Sequence, residues 1–158
     1  MLNQDFIDSC LYEEGALLLD EVIEVDKENS RVVARMPVHA DLPITRHQRV
    51  HPRRHPRHVS GGLMVHMTGI VGYVHFYYVL GHSHADGWTG YGARIYEARF
   101  HTLAEPDAPM LLSCEAVRIR RIRDKIHARY RFRFTQEDRV VYEGEQAAMW
   151  LKIPDEDE

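Results

Sequence analysis

Residues able to do chemistry cluster between positions 58 and 73. A histidine, His58, is followed by Ser60 and two adjacent glycines, Gly61 and Gly62, then by His66, Thr68 and Tyr73. An imidazole with an unperturbed pKa near 6.5 suits proton transfer at neutral pH, which makes His58 a candidate general base; the competing reading is a solvated loop histidine. Ser60 is a plausible N-cap, so Gly61-Gly62 would open a helix. The free N–H groups and partial positive charge of a helix start favour a developing oxyanion, and adjacent glycines let a carbonyl come close to the backbone. A merely flexible loop end accounts for the same three residues. His66 lies one helical turn beyond Gly62 and would share its face, either orienting water or bonding to backbone as a core histidine. Thr68 is a weaker candidate, because a hydroxyl on a buried helix tends to bond back to its own carbonyls. Tyr73, His75, Tyr77 and Tyr78 are better suited to lining a tunnel or an interface than to proton transfer.

Just upstream, residues 39–58 hold three prolines, five arginines and five histidines. The spacing His47, His51, His55, His58 suggests metal ligation on a helix, but Pro52 and Pro56 deny it that helix and no cysteine or carboxylate joins the run. No metal and no other cofactor is expected. Arg53, Arg54 and Arg57 fit a different task, since guanidinium forks match phosphate and carboxylate geometry; a solvated basic loop is the bland alternative. A net charge of −4 and the lack of any known module argue against nucleic-acid binding.

These residues need a scaffold. The chain has 158 residues, 44% hydrophobic and 28% charged, which fits one soluble domain with a single core. Residues 2–12 suggest a short helix. Ala16 to Val25 and Arg31 to Val38 read as a hairpin about the turn Asp26 to Ser30. The loop 39–58 follows, then the longest helix available, from Gly61 to about Leu80, with Gly81 placed to end it. Gly90 to Thr102 reads as a strand before the Glu105 to Pro109 loop. Met110 to Arg123 and Lys125 to Thr135 alternate polar and apolar residues, with Val117, Ile119, Ala128, Tyr130, Phe132 and Phe134 assigned to the buried face. Val140 to Lys152 returns after the turn Gln136 to Arg139, and Asp155 to Glu158 make an acidic tail.

Three stretches resemble one known family in the right order. Leu17-Leu18-Leu19-Asp20-Glu21-Val22-Ile23-Glu24-Val25-Asp26 is similar to the opening strand of the hotdog-fold beta-hydroxyacyl-acyl-carrier-protein dehydratases. Arg57-His58-Val59-Ser60-Gly61-Gly62-Leu63-Met64 stands where that family carries a GHFPG-type loop leading into its central helix. Ala98-Arg99-Phe100-His101 through Pro106 resembles its ARFRRPV-type strand and turn. The resemblance implies an α+β hotdog fold, a long helix wrapped by a curved antiparallel sheet. It also implies a homodimer and a substrate held as a thioester on coenzyme A or an acyl carrier protein.

The departures from that pattern bear on the activity. Family members pair the loop histidine with a glutamate on the partner subunit's central helix. His58 matches the first by position. No carboxylate occurs from Val59 to Ala85, and the expected slot falls near His66 or Met67. Hotdog thioesterases, including the FcoT-type group, look similar here and need no such glutamate. Thioester hydrolysis is therefore the first expectation, with His58 and His66 catalytic. Gly61, Gly62, Thr68 and Tyr73 would contact substrate, and Arg53, Arg54 and Arg57 the coenzyme A or carrier. The alternatives are dehydration of a 3-hydroxyacyl substrate, with His66, Asp41 or Glu97 replacing the glutamate, and acyl binding without catalysis. Two cysteines outside any CxxC pair and an N-terminus without a basic and apolar leader favour the cytoplasm. The uncharged stretch Val59 to Gly81 raises a membrane span, but its histidines and glycines and the amphipathic strands downstream favour a buried helix.

Overall fold

The computed structural model describes residues 2–155, so the acidic tail, but for Asp155, lies outside the described residues. The first helix, α1 (Gln4–Ser9), is capped by Asn3, whose side-chain oxygen accepts from the Asp5 N–H at 2.8 Å. Its Phe6 is buried against the rings of Tyr77 and Tyr78. A single turn, α2 (Glu14–Leu17), then ends at Leu18 in the left-handed region, φ 56°. The strand expected from Ala16 instead begins at Glu21, as β1 (Glu21–Asp26). A short apolar run such as Ala16 to Leu19 has no periodicity that separates helix from strand, and the helical turn won.

In the hairpin turn the Asp26 carboxylate accepts from the Asn29 backbone at 3.0 Å and from its carboxamide at 2.7 Å. β2 (Arg31–Met36) alternates, with Val32, Ala34 and Met36 buried. The proline-broken loop contains one short 3-10 turn, Thr45–His47, and an isolated bridge between His51 and His55.

The central helix, α3 (Gly61–Tyr78), starts where expected, with Ser60 Oγ accepting from the Leu63 N–H at 3.2 Å. Gly81, at φ 71°, turns the chain after it. Met67, Ile70, Val71 and Val74 are fully buried. Gly62, His66, Gly69 and Tyr73 are less covered and recur every three to four residues, so one stripe of the helix is left open by its own sheet. Among the described residues no helix is long and apolar enough to cross a membrane.

Four long strands complete the sheet: β3 (Trp88–Phe100), β4 (Met110–Ile122), β5 (Lys125–Gln136) and β6 (Arg139–Lys152). The order is β1-β2-β4-β5-β6-β3, every neighbour antiparallel. Ala128, Tyr130, Phe132 and Phe134 of β5 face the core as the alternation requires. Val117 does not, being 37% exposed. A register shift between Ala116 and Arg118 breaks the period there, as an extra residue in one strand must. β3 pairs only with β6, and from Tyr91 to Phe100 every residue is exposed.

Candidate active site

The loop ahead of α3 fixes His58 at both ends of the residue. Its backbone N–H donates to Gln48 Oε1 at 3.0 Å, and its Nδ1 lies 2.6 Å from the Pro56 carbonyl oxygen. A carbonyl only accepts, so Nδ1 carries the proton and Nε2 keeps the lone pair that a base needs. The His55 ring meets the His58 ring edge-on, with centroids 5.0 Å apart. Next in the chain, the Val59 N–H donates to Ala104 O at 2.9 Å, tying the loop to the segment after β3.

At the helix start Ser60 takes the N–H groups of Leu63 and Met64, through its hydroxyl and its carbonyl. Those of Gly61 and Gly62 have no partner among the described residues. The two glycines have different reasons to be there. A Cβ on Gly61 would stand 2.9 Å from Phe100 Cε1, so that glycine admits a ring of β3. A Cβ on Gly62 would meet only Ser60 Oγ, at 4.0 Å, and the position is exposed.

His66 sits farther along the open stripe. Its Nε2 donates to Ala16 O at 3.1 Å, which leaves Nδ1 unprotonated, and the Tyr12 ring packs against it edge-on. Thr68 donates to Val65 O at 2.6 Å, the back-bond expected, and accepts from Gln146 Nε2 at 2.8 Å. Tyr73 donates to Gly90 O at 3.2 Å, and burial pushes its hydroxyl up to about 12, so it stays a donor at neutral pH.

Thr68, Tyr73 and Gln146 line a narrow cavity of about 60 Å³ between α3 and the β3–β6 corner, walled by Gly69, Gly72 and Gly92. A Cβ on any of these three glycines would touch nothing within 4 Å, so neighbouring protein does not fill the space. A cleft of about 420 Å³ shares Thr68, Gly69, Gly92 and Gln146 with this cavity and is edged by Tyr12, His66 and Arg94. No described carboxylate lines either space, and neither His58 nor Gly61 or Gly62 does; of the expected site residues the two spaces bring together His66, Thr68 and Tyr73.

The other expected participants are dispersed. Arg57 Nη1 donates to Thr45 O at 2.6 Å, which makes its guanidinium a brace of the loop. Arg53 and Arg54 are exposed, and their backbone N–H groups donate to His51 Nδ1 at 3.2 and 3.1 Å. Tyr77 and Tyr78, expected at a tunnel or an interface, pack on Phe6 of α1 and do not line this cavity. His75 is fully buried, with Nε2 3.0 Å from Ser30 O. Asp41 is exposed, and Glu97 pairs with Arg99 at 2.6 Å; neither lines the cavity. Among the described residues no group of three His, Cys, Asp or Glu side chains could hold a metal ion. Gln48, Tyr12 and Gln146 went unmarked in the sequence. The repeated glycines at 69, 72 and 92 were the one signal, because residues without side chains leave room where the helix faces the sheet.

No family model and no curated protein matches the chain. Solved structures do. A mutant of thioesterase PA1618 from Pseudomonas aeruginosa aligns over 95% of this chain and 94% of its own, at TM-score 0.63 and 14% identity. The chain has the hotdog fold. A hypothetical thioesterase protein from Streptococcus pneumoniae TIGR4, solved with coenzyme A, aligns over 85% of this chain and 88% of its own, at TM-score 0.58 and 11% identity. The dehydratase heterocomplex ApeI:P from Xenorhabdus doucetiae gives 92%, 88%, 0.59 and 14% for the same quantities. Identities this low establish the hotdog architecture and leave the reaction to be argued from the site.

Proposed function

We propose that this hotdog protein hydrolyses an acyl thioester. The observation that carries the reading is His58, whose Nδ1 is spent on the Pro56 carbonyl and whose Nε2 is thereby available, three residues ahead of the free Gly61 and Gly62 amides. Water attacks the thioester carbonyl carbon while His58 Nε2 takes its proton. The oxyanion that forms is held by the two amides and the positive end of α3. Its collapse breaks the C–S bond, and the imidazolium returns the proton to the departing thiolate, giving a carboxylic acid and a thiol. The glycine-walled cavity takes the acyl chain, with Tyr73 along it and Thr68 held through Gln146, while His66 orients water at its mouth.

Leaving-group chemistry favours hydrolysis over dehydration. A thiol ionises near pH 8.5, so a single histidine suffices to manage its departure. Losing the hydroxyl of a 3-hydroxyacyl group as water needs a second group, a general acid placed at that oxygen, and no described carboxylate lines the cavity. The working unit is a homodimer joined along β3. An edge strand of 13 residues is a ready template for pairing, and Tyr91, Ile95 and Phe100 stand 50–61% exposed on it. The second copy would also cover the open stripe of α3. Its acyl group arrives on coenzyme A or a carrier protein.

The test is release of free thiol from acyl-CoAs of graded chain length. The wild type should hydrolyse at least one, and His58→Ala should lose on the order of 10²-fold or more in kcat with the fold intact by circular dichroism. Conversion of a 3-hydroxyacyl thioester to the enoyl form, without thiol release, would replace hydrolysis by dehydration. Tight acyl binding without turnover would make the protein an acyl carrier.

A further inference from the structure

On the outer face of the sheet, away from α3, a groove of about 260 Å³ lies between Arg118, Arg120, His127, Arg129, Tyr96 and Ala147. Its charge is unbalanced. The register sets Arg118 directly opposite Arg129, and like charges facing each other across two strands destabilise a sheet; His127 stands opposite Arg120. Arg129 has a counter-charge in Glu145 at 2.5 Å, whereas Arg118 and Arg120 make no ion pair among the described residues. The nearest acids of the same face, Glu97, Glu115, Glu143 and Glu145, lie toward its other end, where Glu97 pairs with Arg99 and the others stand opposite Arg131 and Arg133; Asp124 sits at the β4–β5 turn between Arg123 and Lys125.

We propose that this groove docks an acidic amphipathic helix of a partner protein. Same-face residues along a strand stand about 7 Å apart and facing residues about 5 Å apart. Carboxylates one turn apart on a helix are separated by roughly 5–6 Å, so one helix face can answer Arg118 and Arg120 together, Arg129 being held already by Glu145. Ala147 gives the groove depth, and Ile122 and Val117, 44% and 37% exposed, offer apolar contact beside the cations. A nucleotide base would have to compete with two arginines for the one ring of the groove, Tyr96, 42% exposed. The guanidinium groups of Arg94 and Arg129 lie 4.7 and 4.0 Å from the Tyr96 ring centroid and occupy it by cation–π contact.

The probe is a fluorescent stapled helical peptide with glutamates at i, i+4 and i+7 and leucines between, followed by anisotropy; a lysine-substituted peptide is the control. The acidic peptide should bind, the lysine peptide should not, and affinity should fall about tenfold or more between about 50 and 200 mM salt. Arg118→Glu with Arg120→Glu should weaken binding by about tenfold or more, and Arg46→Glu with Arg49→Glu, in the exposed loop, by less than about twofold. Arg118→Gln with Arg120→Gln, expected to lose about fivefold, serves if the charge reversal disturbs folding. Absence of binding at low salt, or an equal loss in the loop variant, overturns the proposal. So does displacement by micromolar adenosine 3′,5′-bisphosphate, which would make the groove a phosphate site. A changed oligomeric state on charge reversal would make it a contact between copies. Removal of residues 155–158 should leave affinity unchanged; a tenfold gain would make the chain's own acidic tail the occupant.

Discussion

His75 ties the last turns of α3 to the β1–β2 hairpin and should give the fold a measurable sensitivity to acid. Its side chain is fully buried, Nε2 donates to the Ser30 carbonyl at 3.0 Å and the Tyr130 ring meets it edge-on at 5.1 Å. Nδ1 has no partner, so a second proton would be buried without a hydrogen-bond acceptor. Burial accordingly pushes the imidazole down from 6.5 to about 4, against the smaller opposing effect of the Ser30 bond. The folded state prefers the neutral ring, and the unfolded chain binds the extra proton first. The stabilisation is therefore complete above pH 6.5 and lost as pH falls toward 4. Worked through the linkage relation, a shift of that size removes about 2–3 kcal/mol between pH 7.5 and 4.5. Urea unfolding of the wild type and His75→Gln at several pH values in that range isolates the effect, because the other histidines titrate in both. The variant should be less stable at pH 7.5 through lost ring packing, yet lose about 2–3 kcal/mol less on acidification. Parallel stability curves for the two proteins would refute the reasoning.

Three further outcomes follow from the packing. Gly69→Ala with Gly72→Ala should raise helix stability by roughly 0.5–1 kcal/mol per site, since neither methyl meets a neighbour, while cutting thioester turnover because both enter the cavity. Urea melts and thiol release read the two effects separately, and unchanged turnover would place the acyl chain elsewhere. Gly90→Ala should destabilise by about 1–3 kcal/mol, because its Cβ would fall 2.2 Å from Trp150 Cζ3 and that ring cannot retreat from Phe76, stacked 3.9 Å away; a thermal melt matching the wild type would contradict this. Ile95→Lys, on the exposed edge of β3, should shift the protein toward monomer in analytical ultracentrifugation without changing its circular dichroism. A dimer of undiminished affinity would show that copies do not meet there.

The architecture was legible wherever one face of an element is wet and the other dry. β5 announces itself because Arg129, Arg131 and Arg133 alternate with Tyr130, Phe132 and Phe134, and its neighbours inherit its limits through register. The helix was legible for the opposite reason: an uncharged stretch with Ser60 ahead and Gly81 behind has no periodic face, which suits an element surrounded on most sides. Legibility failed where a local pattern was overruled by backbone geometry. Leu18 adopts a positive φ that no leucine advertises, and the shift after Ala116 turns Val117 outward without a glycine or proline to mark it.

The site was legible in its parts along the chain and illegible in its parts across it. His58, Ser60, Gly61 and Gly62 are near neighbours in sequence, so spacing alone suggested a base beside a helix start. Gln146 joins Thr68 from 78 residues away, and Gln48 braces His58 from ten, distances over which no spacing rule operates. The glycine pair illustrates the limit most clearly. One composition, two glycines at a helix start, hides two causes: Gly61 yields to Phe100, whereas Gly62 yields to nothing in the described chain. If the helix start serves a substrate, Gly62 is the residue with space to admit it, and Phe100, which closes over Gly61 from an exposed edge strand, is where pairing with a second copy would bear directly on the oxyanion donors. Catalysis and assembly would then depend on the same few atoms, a coupling that composition alone could not disclose.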